Sequence, residues 1–142
     1  MNPMSKKLTS LFLVSLKHLV PIMMLGLLLI ACTLWAQDSK AFVGDWSGAV
    51  FIGGQERIKI VCHFELDEED NLTGTIDSPS QEAYGMALAN IKVEGKKITF
   101  GIDDPNVGGD PQFDGMLDET GAKISGDFSQ GGGEGTFELK KE

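Results

Sequence analysis

Four times in this chain a large apolar residue, a glycine and a second apolar residue follow one another at intervals of two. They are Trp46-Ser-Gly48-Ala-Val50, Leu72-Thr-Gly74-Thr-Ile76, Phe113-Asp-Gly115-Met-Leu117 and Ile124-Ser-Gly126-Asp-Phe128. In an extended chain, residues two apart share a face, so each glycine lies on the apolar, core-facing side of its strand. An inward glycine weakens a strand and marks a tight bend, a barrel corner or a close approach of backbone. Four of them predict one strongly curved sheet that closes on itself.

The rest of the chain after residue 43 supports that reading. Short alternating segments are separated by glycine, asparagine and acidic turns, with no helical period. Strands are expected over Asp45 to Ile52, Glu56 to Leu66, Asn71 to Asp77, Ala87 to Val93, Lys97 to Ile102, Gln112 to Leu117, Lys123 to Ser129 and Gly135 to Lys140. Gly53-Gly54, Asp70-Asn71, Glu94-Gly95, Thr120-Gly121 and Gly131-Gly132-Gly133 supply hairpin turn chemistry. Short connections make neighbouring strands antiparallel. On the longest strand Ile58, Ile60, Cys62, Phe64 and Leu66 form one face, and Arg57, Lys59, His63 and Glu65 the other, with Val61 as the exception. With no helix to cover the apolar face, the sheet must bury it against itself. The expected fold is all-β, a single antiparallel meander closing into a small barrel of about eight to ten strands, with a β-sandwich as the alternative. Gly135 is a candidate fifth inward glycine, and Trp46 a plug at the barrel floor.

Residues 1–36 have the layout of a secretory signal: Lys6, Lys7 and Lys17, then an apolar run from Leu19 to Trp35 with no charge. Cleavage after Ala36 is favoured. Leu29-Ile-Ala-Cys32 also resembles a bacterial lipobox, which would put a lipid on Cys32 and make the protein an outer-membrane lipoprotein; an uncleaved membrane anchor comes third. The expected organisation is a signal peptide over 1–36, a lead segment over 37–43 and the barrel over 44–142. The expected location is periplasmic or extracellular, with membrane contact only through the signal segment or a lipid on Cys32. Removal of the signal takes away three lysines and no acid, so the formal charge moves from −9 to −12. Such a surface excludes nucleic acid and anionic lipid as partners, since both require basic patches. Only Cys62 would remain, so no internal disulfide forms, and Cys62 is expected to be a small buried hydrophobe.

Little in the chain points to catalysis. Ser129 in Gly126-Asp-Phe-Ser129-Gln-Gly131 lacks the glycine two positions before it that a nucleophile elbow needs, and no helix follows. His63 is the sole histidine after the signal and sits on the charged face of its strand, across from Cys62. One histidine cannot build a histidine-rich metal site. The acidic turns Asp67-Glu-Glu-Asp-Asn71 and Asp103-Asp104 lack the alternating ligands of a calcium loop. Asn71-Leu-Thr73 matches a glycosylation acceptor, without meaning behind a bacterial signal. No catalytic residue, cofactor or metal is therefore expected. The candidate ligand site is the polar stretch Asp77-Ser78-Pro79-Ser80-Gln81 leading into Tyr84, together with Gln130; loops at a barrel mouth commonly carry function. The competing account of Asp77, Ser78 and Pro79 is a side-chain-capped turn.

Two resemblances follow from these residues. Gly44-Asp-Trp46-Ser-Gly48 looks like the opening strand of calycin barrels such as lipocalins and avidins. Over nearly the whole segment after the signal, the chain resembles the small β domain that precedes the catalytic domain in some bacterial, Bacteroidetes-type α/β-hydrolases and serine hydrolases. The likeness rests on the Gly44 to Gly48 opening, Leu72-Thr-Gly74-Thr-Ile76-Asp77-Ser78-Pro79, Ile91-Lys-Val93-Glu-Gly95-Lys-Lys-Ile98-Thr-Phe100, Asp114-Gly115-Met-Leu117 and Ile124-Ser-Gly126-Asp-Phe128-Ser129-Gln130-Gly131-Gly132. The chain departs from the family's Ser-Pro-Asp-Gln-Gly loop at Ser80 and Glu82, so no loop function carries over. What the resemblance implies is an accessory barrel without the catalytic domain. The expected function is an exported, non-enzymatic binding or accessory module of the bacterial envelope, taking a small apolar or mixed ligand or a partner protein. The alternatives are a hydrolase relative with its own weak esterase or peptidase activity, and a structural envelope protein.

Overall fold

The computed structural model describes residues 38–142. The signal segment, its cleavage after Ala36 and the lipidation of Cys32 lie outside the described residues. From residue 44 onward the chain winds into β1 (Gly44–Ile52), β2 (Gln55–Leu66), β3 (Leu72–Ser78), β4 (Ala83–Glu94), β5 (Lys97–Asp103), β6 (Gln112–Leu117), β7 (Lys123–Gln130) and β8 (Gly133–Lys141). Each strand pairs antiparallel with its predecessor, and β8 returns to β1 in register from Trp46 opposite Lys141 to Phe51 opposite Thr136. That last ladder decides between the two expected architectures. A sandwich leaves edges, whereas this sheet has none, so the fold is an eight-stranded up-and-down antiparallel barrel.

The inward glycines are where the barrel wall bends onto itself. A Cβ on Gly48 would run into the Glu138 carbonyl, on Gly74 into that of His63, on Gly126 into that of Asp114, and on Gly135 into that of Phe51. All four clashes are with the backbone of a paired strand, so the sheet closes this tightly only because those positions lack a side chain. Gly115 is different: its missing Cβ makes room for the Phe137 ring, whose Cζ would stand 2.7 Å away.

The middle of the barrel is solid. Phe100 and Phe113 stack with centroids 4.7 Å apart, and Phe64, Phe128 and Phe137 pack edge-on or tilted against them. Ile60, Cys62, Ile76, Ile98, Ile124 and Leu139 fill the space around the rings. Cys62 is fully buried, as its position in the alternation requires, and burial, with Asp77 nearby, pushes its thiol far above the ordinary value.

Two local features differ from the sequence reading. β4 begins at Ala83, four residues earlier than expected, and its register shifts between Ala89 and Lys92 around Asn90, which has φ of 52°. The extra residue moves the inward side chains from even positions, Met86 and Leu88, to odd ones, Ile91 and Val93. The lead segment is also more than a connector. Residues 38–40 are helical, and Phe42 then turns under the barrel, held by its N–H to the Ser39 carbonyl. Its own carbonyl accepts the Trp46 indole N–H at 2.8 Å, and both side chains are 0% exposed. Lys141 Nζ lies 5.4 Å from the Trp46 ring centroid. The floor is therefore sealed by a Phe42–Trp46 pair rather than by Trp46 alone.

Candidate functional site

The opposite end of the barrel is hollow. Val50, Ile60, Ile76, Met86, Phe113 and Phe128 form the base of a cavity of about 560 Å³ that opens to solvent between the β3–β4 connection, the β5–β6 loop and the end of β7. Its upper wall is polar, with Ser78, Gln81, Glu82, Tyr84, Asp104, Asn106 and Gln130.

Local chemistry fixes each wall. After Ser78 the chain takes one turn of 3-10 helix, Pro79–Gln81, with proline in its first turn and Glu82 in the left-handed region as its C-cap. Ser78 is 2% exposed, and its hydroxyl donates to Gln81 Oε1 at 3.0 Å, so a buried polar group is satisfied inside the turn. Ser80 Oγ accepts the Lys59 N–H at 3.3 Å, which ties the turn to β2. On the other side, Asp104 starts the β5–β6 loop by accepting the Asn106 N–H at Oδ1, at 2.8 Å, and Val107 then tucks against the core. Gln130 Nε2 donates to the Gly108 carbonyl at 2.7 Å, and the Gly131 N–H to the Gly109 carbonyl at 2.7 Å. These two bonds clasp the loop to the β7–β8 hairpin, so the cavity wall is held from both ends.

Of the residues singled out from sequence, Ser78, Gln81, Tyr84 and Gln130 line this cavity. Tyr84 is 65% exposed and stands on the cavity rim. Pro79 shapes the turn without reaching the lining. Asp77 faces the outside of the barrel. Its Oδ1 accepts the Gly85 N–H at 2.7 Å and its Oδ2 meets His63 Nε2 at 3.0 Å. Glu82, Asp104, Asn106 and Val107 were missed as lining residues. The only signal was the Asp103-Asp104-Pro105-Asn106 turn, and nothing in the sequence says that it folds over the mouth.

His63 is less solitary than its sequence position suggests. Its ring lies on the outer face between two carboxylates, with Nδ1 2.7 Å from Asp45 Oδ1 and Nε2 3.0 Å from Asp77 Oδ2. The hydrogen bonds to Asp45 and then to Asp77 raise the imidazole above its ordinary value, because both ring nitrogens face acceptors and the doubly protonated ring satisfies both. Asp77 is held low, first by the Gly85 N–H and then by His63. The trio joins β1, β2 and β3 across strands, a structural clip on the wall away from the cavity. Ser129 is on β7 between Gln112 and Glu134, far in register from that imidazole. Asp67 is an Asx-type turn in which Oδ1 accepts the N–H groups of Asn71 and Glu69, both at 2.9 Å. Among the described residues, no group of three His, Cys, Asp or Glu side chains is placed to hold a metal ion.

No family model matches this chain. No curated protein matches it either. Among solved structures it is similar to the wild-type fluorescent protein UnaG, with a TM-score of 0.42 and 11% identity over 72% of this chain and 98% of that one. With so loose an overlap, the barrel assignment stands on the strand register alone.

Proposed function

We propose that this protein is an exported, non-enzymatic binding module that takes one small ligand, apolar in body and polar at one end, in the mouth of the barrel. The observation that carries this reading is the cavity of about 560 Å³, apolar at its base and polar at its rim. Protein interiors are close-packed, and the lower part of this same barrel is filled to its floor, so the hollow is confined to one end. Its size is within the range of roughly 300–1,000 Å³ usual for small-molecule sites. The apolar run of residues 19–35 behind a basic start supports export, and the acidic surface supports solubility after it. The resemblance to the barrel that precedes hydrolase catalytic domains supports an accessory role, in which the captured ligand is presented to a separate partner enzyme.

Isothermal titration calorimetry of the full-length protein with decanol tests the reading. A single saturable site is expected. Ala83→Trp, at the start of β4 in the cavity wall, should weaken binding by about tenfold or more by filling the space. Val107→Trp should do the same from the opposite wall. Absence of saturable binding, or unchanged binding in both folded variants, would overturn it.

A further inference from the structure

The charges around the mouth say which polar end the ligand carries. We propose that it is cationic: an amphiphilic amine or ammonium compound, and not a fatty acid or other anion. This rests on the binding role proposed above. Glu82 and Asp104 both line the cavity, and among the described residues no lysine, arginine or histidine does. Asp104 is half-buried and uses Oδ1 on the Asn106 N–H, which leaves Oδ2 for an incoming donor. Gln130 spends an amide N–H on the Gly108 carbonyl, so its Oε1 is left as an acceptor. Gln81 accepts from Ser78 within its own turn.

An anionic head seated here would face two like charges, one exposed and one half-buried, with no cation among the described lining residues to offset them, which is unfavourable. An ammonium head would replace its water with carboxylate oxygens. Tyr84 adds a second, independent feature. It is the only tyrosine in the chain and is largely exposed on the rim, where an aromatic face is suited to a cation. The formal charge of −9 acts in the same direction at long range, drawing cations toward the protein and repelling anions.

Three probes with one chain length separate body from head: decylammonium, decanol and decanoate, titrated into full-length protein at neutral pH. Decylammonium should bind tighter than decanol by about threefold to tenfold, the range expected for two partly exposed carboxylates, and decanoate weaker by a similar factor. The preference should shrink as salt rises. In a Glu82→Gln, Asp104→Asn double variant the three affinities should converge while decanol is unchanged. Tyr84→Leu should weaken decylammonium alone, and Tyr84→Phe should restore it. Decanoate binding as well as decylammonium would overturn the charge assignment while leaving the cavity reading intact. So would a preference that survives the double variant, or decylammonium binding that survives Ala83→Trp and so belongs to the acidic surface. Failure of decanol and decylammonium alike would remove both proposals.

Discussion

Adding a single methyl group at Gly126 should cost this barrel a large part of its stability. Gly126 faces Gly115 across the β6–β7 ladder, and a Cβ there would collide with the Asp114 carbonyl oxygen and lie 2.7 Å from the Gly115 Cα and 2.8 Å from the Asp114 carbonyl carbon. These are backbone atoms in a closed ladder, so no rotamer change relieves them; β6 and β7 must move apart. Overpacking of this kind costs about 1–3 kcal/mol, and the rigidity of the contact puts Gly126→Ala near the top of that range. Alanine's better strand propensity returns only about 0.5–1 kcal/mol. The net loss of about 2 kcal/mol corresponds to a fall in melting temperature of about 8–16 °C for a domain of this size. Differential scanning calorimetry of Gly126→Ala against wild type measures it. Gly121→Ala is the reference: that turn glycine has φ of 73° and nothing within 4 Å, so its cost is conformational alone. If Gly126→Ala melted with wild type, or higher than Gly121→Ala, close backbone approach would not be the reason for glycine, and the account of closure would be wrong.

Other outcomes follow from the same structure. The His63 clip stabilises while the imidazole is charged and Asp77 is ionised. Because His63 is raised in the fold, its contribution is complete below 6.5 and lost as pH rises through its higher folded value; because Asp77 is lowered, its contribution is complete above 3.8. The melting-temperature gap between wild type and His63→Ala should therefore be widest between those values and narrow in alkali; a gap independent of pH would contradict the clip. Phe42→Ala removes a fully buried ring from the floor and should cost about 3–5 kcal/mol in chemical denaturation; an unchanged midpoint would mean the lead segment does not seal the barrel. Cys62 should resist iodoacetamide in native protein and label on unfolding, read by peptide mass spectrometry. Rapid native labelling would contradict its burial.

Most of the barrel was legible because period-two alternation is strong in β1, β2, β6, β7 and β8, and inward glycines mark bends wherever they occur. What the sequence concealed was local and geometric. Asn90 inserts a residue into β4 and reverses which positions face inward, so alternation misplaces the strand that borders the mouth. Phe42 has no alternating neighbours and reads as part of a connector, although it is wholly buried. Ser78, Gln81, Tyr84 and Gln130 could be picked out as polar residues at strand ends on one side of a meander. Asp104 and Val107 could not, because their place over the cavity depends on hydrogen bonds from Gln130 and Gly131, distant in sequence. The pairing of His63 with Asp45 and Asp77 likewise needs the β1–β2–β3 register, which no single strand reveals.

Methyl and indole N–H NMR during a decanol titration tests most sharply whether the barrel is sealed at one end and hollow at the other. Saturable shifts are expected at Ile58, Ile76, Met86, Ile102 and Val107, which line the cavity, with Ile98, Ile124 and the Trp46 indole N–H unmoved. Shifts centred on Ile124 and the Trp46 indole, or confined to side chains on the outer face, would contradict it.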